Sequence, residues 1–553
     1  MEQTASVLRH ACRQTGPLRR VAARAPWVGR TGGRGRFMGR GHRDIKARLV
    51  ICLAALLACV LVFLAACANG GDGVTYTTFA EIEDKRIGVT TGSIQADQAT
   101  KRFPDAKIFQ YNTTTDMLNA LKSHKIDAFA EASAIAQIIL QSEPELVCLE
   151  EHLSETSDIA GIFPMTDEGR TLRDEYSDYI REIKASGEYD KIIDVWLGSD
   201  TSLQVAPDLG DLKATKGTLH VALDTSMYPF VYLKDGRIGG LDPAIAYGFA
   251  KSHGYALKPL VMDFGSILPA ITTGKADFAA GGFVYTEERA ESVLFSEPTY
   301  QGYSVICVLG APVEGKGIVE SVTESFEKTF IREGRWKLFV SGVGTTLVIT
   351  LCSCVLGALL GFCLYLLWRR GTPWVVGLCN VVLKLVHGMP TVVLLMVLYY
   401  VVFGSIDLSG LIVAIVGFSL VFAVAAFGML DSGVRAVDAG QLEAASALGY
   451  TDNAAFFKLI LPQAALHFMP DLTGSVISLL KGTSVVGYIA VQDLTKMGDI
   501  VRSATYDAFF PLIAVTILYF AIEWVLGRVI ALIAARMDPR RRTPDEILKG
   551  LTT

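Results

Sequence analysis

From residue 340 onward, the sequence is dominated by apolar runs that are long enough to cross a lipid bilayer. A spanning helix needs about 20 consecutive apolar residues, and a soluble core does not contain several such runs in succession. Only 19% of the 553 residues are charged, and the net charge of −5 provides no overall attraction for nucleic acid. We therefore expect a membrane protein without a nucleic-acid partner. The five predicted spans are residues 340–368, 391–404, 411–430, 472–491 and 509–534.

Arginine clusters predict how the spans are oriented. Arg369-Arg370 follows the first predicted span, and a second cluster at 540–542 follows the fifth. Cytoplasmic loops carry an excess of Lys and Arg, so both clusters are expected inside and the soluble part that precedes the first span outside. The remaining segments are a linker outside the cell, a membrane domain and a cytoplasmic tail, at residues 309–335, 336–541 and 542–553.

The N-terminal segment has two interpretations. Residues 1–48 are rich in Arg and Gly and predict a disordered basic segment, but Met38 also offers a later start. From Met38, a short basic stretch leads into an apolar run, as in a signal peptide. The segment 49–67 ends in Leu64-Ala65-Ala66-Cys67, which resembles a bacterial lipobox and predicts lipidation of Cys67. The alternative is an uncleaved helix, since 18 apolar residues just span a bilayer.

Residues 75–308 alternate short apolar strands with amphipathic helices and therefore predict a soluble α/β region. We expect two lobes at 75–200 and 217–308, joined by a polar linker at 201–216, with a closing helix at 187–198 ending the first. Cys148 and Cys307 are the cysteines of this region, and their pairing stays open between a disulfide and two free thiols. No metal-ligand spacing surrounds them.

The soluble region resembles periplasmic amino-acid-binding proteins. The runs GSILPAITTGKADFAAGG and TEERAESVLFSEPTY resemble the first lobe of that family, and IGVTTGSIQ, NALKSHKIDAF and GEYDKIIDVWLG resemble its second lobe and closing helix. The order of the two lobes is reversed here. We therefore interpret the region as one circularly permuted two-lobed module, cut at the hinge between Leu309 and Thr78, since permutation is tolerated where termini lie close together at the surface.

The resemblance implies a cleft that binds a small zwitterion. Arg289 matches the arginine that grips the ligand carboxylate, for which a planar guanidinium is well suited, and the helix start at residues 92–95 can receive the same group. Each of these positions also has a structural alternative. Arg289 could be a surface arginine, Phe230 and Phe264 could pack in the core, and Asp224 could be a turn residue at a strand end. The substrate-binding residues implied in this way are Arg289, Asp224, Phe230, Phe264, Gly282, Ser93 and Ile94.

Two departures from the family pattern put an α-amino-acid ligand in doubt. The aspartate that binds the ligand ammonium is Ala132 here, and Glu131 lies one residue short, which on a strand puts its side chain on the opposite face unless the strand bulges. The hydroxyl residue before the T-x-x-R run is Val284. These changes predict weak binding or a ligand without the usual ammonium.

The membrane region resembles the permeases of polar amino-acid ABC importers across residues 335–541. Its cytosolic loop carries the EAA pattern of these permeases, with a glycine at the turn and a Leu-Pro pair at the family's spacing. This loop is implied to form two short helices that dock onto an ATPase subunit. Lys481, inside the fourth span, is expected to pair with Asp431 or to line the path, or else to be a structural lysine. The docking residues are Glu443, Ala444, Ala445, Gly449, Leu461 and Pro462.

The fold expected from both resemblances is a permuted two-lobed α/β binding module followed by an all-α membrane domain of about five helices. The sequence 310–317 resembles a phosphate-binding loop but lacks its Ser or Thr, so ATP hydrolysis is expected in a separate subunit. The implied function is the binding and permease subunit of an importer for a small polar solute, working as a homodimer with ATPase partners and binding no cofactor. The alternative is a ligand-binding sensor or ligand-gated channel.

Overall fold

The computed structural model describes residues 76–537, except 199, 235, 311–317, 405 and 407. The predictions for residues 1–48, Met38, 49–67 with Cys67 and the tail 542–553 lie outside the described residues. The strands are β1 Arg86–Thr90, β2 Lys107–Tyr111, β3 Ala128–Ala132, β4 Leu146–His152, β5 Ser157–Pro164, β6 Gly217–Leu223, β7 Ser226–Met227, β8 Val231–Lys234, β9 Arg237–Gly239, β10 Tyr255–Val261, β11 Phe278–Val284, β12 Val293–Gly302 and β13 Ser304–Leu309.

Helices of the soluble region are short, whereas several of the membrane region exceed 20 residues. The helices are α1 Ile94–Arg102, α2 Thr114–Lys122, α3 Ser133–Ser142, α4 Asp167–Ser186, α5 Glu188–Leu197, α6 Leu241–His253, α7 Phe264–Thr272, α8 Glu287–Ala290, α9 Ile318–Phe326, α10 Trp336–Arg369, α11 Pro373–Gly388, α12 Thr391–Met396, α13 Gly410–Arg435, α14 Gly440–Ala447, α15 Asp452–Ala455, α16 Leu461–Gly482, α17 Leu494–Thr505 and α18 Phe509–Met537.

The soluble region folds around two separate five-stranded sheets. The first has the order β2-β1-β3-β13-β4, and β13 runs antiparallel to both of its neighbours. The second has the order β10-β6-β11-β5-β12, with β5 antiparallel to β11 and β12. We call residues 76–152 with 304–309 lobe A, and residues 157–302 lobe B. The predicted α/β class with two lobes followed by a helical membrane domain is confirmed.

The lobe boundaries differ from those predicted. Strand β5 and helix α4 fall within the range 75–200 expected to form one lobe, yet both pack in lobe B. Strand β13 ends the other predicted range but adds to the sheet of lobe A. The cut predicted between Leu309 and Thr78 therefore lies inside lobe A and not at the hinge. The apolar residues of a strand show that it is buried, but not which of two sheets buries it.

Two short crossings connect the lobes. The chain passes from lobe A to lobe B after His152 and returns through Tyr303. The two crossings lie side by side, because Leu153 N–H donates to Ser304 O at 2.8 Å and the rings of His152 and Tyr303 stack at 4.0 Å. All other connections stay within one lobe, so the cleft between the lobes has its hinge here.

Among the described residues, the membrane domain contains four helical segments that are long and apolar enough to span a bilayer, and a fifth span if the bent pair Pro373–Gly388 and Thr391–Val402 counts as one. The axis of that pair bends by 110°. Helices α10 and α13 pack closely through Gly357 and Gly361, where an added Cβ would come within 2.7 Å of Ser419 O and 2.5 Å of Ala423 O. Small residues four apart allow such contact between spanning helices.

The fourth span and the partner of its lysine differ from the predictions. The fourth, predicted at 472–491, belongs to a helical segment that begins at Asp452, because the polar residues in its first half interrupt the apolar run without ending the helix. Lys481 Nζ lies 3.0 Å from Glu523 of α18, so it does not pair with Asp431. Asp431 instead pairs with Arg435, one turn further along α13, at 3.0 Å.

The buried carboxyl group of Asp242 makes the stability of lobe B depend on pH. Its carboxylate lies in the first turn of α6 with 1% of the residue exposed, and Oδ1 has no hydrogen-bond partner among the described residues. Burial raises the pKa of Asp242 from 3.8 to about 7. Because the folded chain holds this proton more tightly than the unfolded chain, stability decreases as pH rises from about 4 to about 7.

We predict that Asp242→Asn raises the melting temperature at pH 8 and changes it little at pH 4, because the amide carries no charge to bury. The gain at pH 8 is at most about 4 kcal/mol. Thermal melting of the purified full chain at both pH values measures it. Asp190→Asn, at an exposed position of α5, is the control and should change neither value. Equal effects of Asp242→Asn at the two pH values would contradict the prediction.

Candidate functional site

A cavity opens between the two lobes, and the seven residues predicted to bind substrate all lie in its wall. Lobe A contributes the start of α1, the segment that leads into α2 and the end of β3, whereas lobe B contributes the segment after β6 and the end of β11, together with the start of α7 and Arg289 of α8. The residues concerned are Ser93, Ile94, Asp224, Phe230, Phe264, Gly282 and Arg289. The structure thus brings together residues that lie up to 196 positions apart in the chain (from Ser93 to Arg289).

The N-terminus of α1 faces the cavity. Gly92 has a φ of +73°, which lets the chain turn sharply from β1 into the helix, and Ser93 caps it by accepting a hydrogen bond from Ala96 N–H at 3.3 Å. Ser93, Ile94 and Gln95 line the cavity. Unpaired N–H groups and the helix dipole make such a terminus a favourable position for an anionic group.

Arg289 connects the two lobes across the cavity. It lies on α8 of lobe B, and its guanidinium donates from Nη1 to Val284 O at 3.1 Å and from Nη2 to Gly92 O of lobe A at 3.0 Å. The guanidinium lies 5.8 Å from the ring centroid of Phe283. Burial lowers the pKa of Arg289 from its usual value, although an arginine remains cationic at neutral pH. The group is therefore a positive charge held in place by two backbone carbonyls.

The other predicted site residues of lobe B also form hydrogen bonds or ring contacts with neighbouring residues. Asp224 accepts hydrogen bonds from Ser226 N–H at 2.9 Å and Phe264 N–H at 3.0 Å, so it organises the turn after β6 as well as lining the cavity. The ring of Phe264 stacks on Phe283 at 4.8 Å, and Phe230 meets Tyr300 edge to face at 5.2 Å. Each of these side chains thus has a packing role in addition to its place in the cavity wall.

Glu131 lines the cavity, which corrects the expectation that its side chain lies on the wrong face. It is the penultimate residue of β3, and its Oε1 accepts a hydrogen bond from Ala132 N–H at 2.8 Å while Oε2 accepts one from Thr114 at 2.6 Å. Burial raises the pKa of Glu131. The hydrogen bond from Thr114 at the start of α2 holds the carboxyl group in the cavity wall, a contact between distant residues that strand alternation does not predict.

The polar segment that leads into α2 lines the cavity, although its residues were not among those predicted to bind substrate. Asn112, Thr113 and Thr114 line the cavity, and Thr113 caps α2 by accepting a hydrogen bond from Asp116 N–H at 3.2 Å. The N-T-T-T run is a capping signal, which places these residues at a helix start but does not indicate that this start faces a cleft.

In the membrane domain, the loop with the EAA pattern forms two helical segments joined at a glycine turn. Helix α14 contains Glu443, Ala444 and Ala445, of which Ala445 is buried and the other two are exposed. Gly449 has a φ of +82°, a conformation that favours glycine. Leu461 and Pro462 lie where a π-helical turn at Phe456–Ile460 passes directly into α16, inside the helical segment that begins at Asp452.

Two family models match this chain. The model of bacterial extracellular solute-binding proteins, family 3, matches residues 219–402, and the model of binding-protein-dependent transport system inner membrane components matches residues 353–543. A two-lobed solute-binding module joined to spanning helices thus defines a subunit of a binding-protein-dependent transporter.

Similarity to known transport proteins identifies the family of this chain. The L-cystine transport system permease protein TcyL of Bacillus subtilis is 32% identical over 194 residues, which cover 32% of this chain and 80% of that protein. The arginine ABC transporter permease protein ArtQ of Haemophilus influenzae is 27% identical over 200 residues, covering 34% and 89%. A crystal structure of an amino acid ABC transporter with histidines has 25% identity and a TM-score of 0.35, covering 40% of this chain and 99% of its own. The chain belongs to the family of ABC importer permeases and carries a family 3 solute-binding module in the same polypeptide.

Proposed function

We propose that this chain captures an amino acid outside a bacterial cell and conducts it across the plasma membrane in an ATP-driven importer. The observation that carries the proposal is one polypeptide in which a cleft lined by Arg289, Glu131 and Asp224 precedes a permease domain. The names of TcyL and ArtQ refer to L-cystine and arginine, which supports an amino acid as the transported class.

The cavity provides complementary charge for both ends of an α-amino acid. Arg289 has five N–H donors, and two are used in the backbone hydrogen bonds described above, so further donors and the start of α1 are placed for a carboxylate. Glu131 and Asp224 supply acceptors for the ammonium. Glu131 takes the position that the absent family aspartate leaves open, which favours a ligand with an ammonium group over one without.

We predict that Arg289→Ala lowers the affinity for every amino acid that binds, by at least about tenfold, because it removes a charged hydrogen-bonding group from a partly buried site. Calorimetric titration of the full chain with a panel of amino acids measures the effect. Arg237→Ala, on the exposed hairpin of lobe B, is the control and should leave affinity unchanged. Retained affinity in Arg289→Ala would contradict this role.

A second substitution separates the two ends of the ligand. Glu131→Ala should weaken binding of an amino acid but not of the corresponding α-keto acid, since the keto acid retains the carboxylate and lacks the ammonium. Competition between the two ligands on wild-type and variant chains gives the ratio directly. An equal loss for both ligands would indicate that Glu131 supports the lobe rather than binding the ammonium.

We further propose that the family 3 module is circularly permuted. The family match begins at residue 219, in β6, although the soluble region already begins with lobe A more than 130 residues earlier (219 against 86, the start of β1). The first and the last strand of the module, β1 and β13, both belong to the sheet of lobe A. This arrangement supports a permuted fold in which the family's chain order is cut within lobe A. The lobe contacts are unaffected by where the chain is cut, so the cleft keeps its composition.

The importer requires a source of energy that we assign to a separate ATPase subunit docked on the EAA loop. Exposed apolar side chains surround this loop, including Leu448, Tyr450 and Phe457, and exposed Glu443 offers a charge to a basic partner. A contiguous exposed apolar surface marks an interaction site. We propose a homodimer of the permease domain with two such ATPases, and a module that faces the outside of the cell.

Gly449 tests the docking loop. Gly449→Val should lower uptake by about tenfold or more, because a β-branched residue is strained at a φ of +82° and the turn between α14 and α15 would shift. Ligand binding by the module should be unchanged. Uptake and titration in the same preparation, with the ATPase present, measure both. Gly377→Ala, a helical glycine with open space around its Cβ position, is the control. Normal uptake by Gly449→Val and by Glu443→Ala would favour a sensor or channel over an importer.

A further inference from the structure

Helix α17 belongs to the membrane domain but contacts both lobes of the binding module. Its first turn is fixed to two spans, because Leu494 N–H donates to Thr346 Oγ1 of α10 at 3.1 Å and Tyr519 of α18 donates to Asp493 Oδ2 at 3.0 Å. Asp493 caps the helix through Lys496 N–H at 2.9 Å. Movement of α17 is therefore tied to movement of α10 and α18.

Each lobe forms an ion pair with a different part of α17. Lys496 pairs with Asp263, the N-cap residue of α7 in lobe B. Arg502 pairs with Asp116 in the first turn of α2 in lobe A, with 2.8 Å between Nη1 and Oδ1. The two cationic side chains are 7% and 11% exposed. Arg502 also pairs with Asp499 of α17 itself, with 2.9 Å between Nη2 and Oδ1. Separation from either lobe leaves a buried cation with less compensating charge, so neither pair between a lobe and α17 separates freely.

Both acids lie close to the ligand cavity. Asp263 directly precedes Phe264, and Asp116 lies two residues after Thr114, both of which line it. A second contact in lobe A is made by Thr115, whose hydroxyl donates to Arg502 O at 3.3 Å. Beyond the helix, Tyr506 has a φ of +53° and packs against the hydrophobic core of the module, which extends the contact past the last turn.

Spacing along the helix makes the two ion pairs depend on each other. Lys496 and Arg502 are six residues apart, which is about 9 Å along a helix axis. A rigid helix of fixed spacing satisfies both pairs only over a narrow range of lobe separation. In this structure the lobes are close enough for Arg289 of lobe B to donate to Gly92 O of lobe A. The contact between Arg289 and Gly92 and the two ion pairs are therefore formed together.

We propose that α17 is a clamp that holds the two lobes at their closed separation and transmits lobe opening to spans α10 and α18. When the lobes separate, either one buried ion pair breaks or α17 moves with a lobe. Ligand in the cleft favours closure, so occupancy of the cleft biases the position of α17. This coupling deepens the proposed importer function and rests on it for its physiological meaning, whereas the clamp itself is a property of the chain.

A charge exchange tests the clamp without any ligand. In the full chain in lipid nanodiscs, Arg502→Asp and Asp116→Arg should each raise amide hydrogen exchange in α2 and α17 by about tenfold. The double variant restores an ion pair in reverse and, with Asp499→Asn added to remove the like charge one turn away, should return hydrogen exchange to near the wild-type rate. Arg502→Met tests loss of the charge where the reversal fails to fold. The control is the corresponding charge swap, Glu175→Lys with Lys216→Glu, in an ion pair of lobe B at 3.1 Å.

Uptake of amino acids by the chain with its ATPase gives the second readout. Each single charge reversal should lower uptake about tenfold, and the double variant should recover most of the lost uptake. The charge swap between Glu175 and Lys216 should leave uptake unchanged. Single variants that exchange and transport like the wild type would overturn the clamp, as would a folded double variant that behaves like the singles. A wild-type chain that transports no amino acid would instead overturn the proposed function, while hydrogen exchange still decides on the clamp.

Discussion

The cleft depends on how few covalent connections join the two lobes. Each lobe has its own sheet, and the chain passes between them only twice among the described residues, although one cluster of buried apolar side chains has members in both lobes. Because Leu153 and Tyr303 lie on neighbouring crossings, the two connections act as one hinge. Everything else that holds the lobes together is non-covalent, including Arg289 across the cavity and the ion pairs to α17. Such contacts can be exchanged when a ligand enters or leaves.

The electrostatic character of the cavity follows from its position at the edges of both lobes. Helix starts, strand ends and the loops between them converge there, and these are the places where backbone N–H groups and short polar side chains lack partners within regular structure. Arg289 supplies the positive charge, and Glu131 supplies a carboxylate in a buried environment that raises its pKa. With Arg289 and Asp224 on lobe B and Glu131 on lobe A, a ligand of the proposed class would contact both lobes, and its binding would favour closure.

The membrane domain meets a different constraint. In hydrocarbon there is little hydrophobic drive for helices to associate, so close packing of small residues supports the bundle, as Gly357 and Gly361 do between α10 and α13. Charged groups within the spans are expensive and find partners, as Lys481 does in Glu523. Gly342 serves the junction between the two regions, since an added Cβ would come within 2.7 Å of Leu494 at the start of α17.

The sequence by itself determined the class of each region. Apolar run length predicts the spans, α/β alternation predicts the soluble module, and Gly449 with its flanking motif predicts the turn of the EAA loop, because each depends on residues that are neighbours in the chain. The tertiary structure decided which sheet buries β5 and β13, that Glu131 reaches the cavity, that Lys481 pairs with Glu523, and that α17 contacts both lobes. Those features depend on residues tens to hundreds of positions apart. Local pattern carries no information about which distant partner satisfies a strand edge or a buried charge.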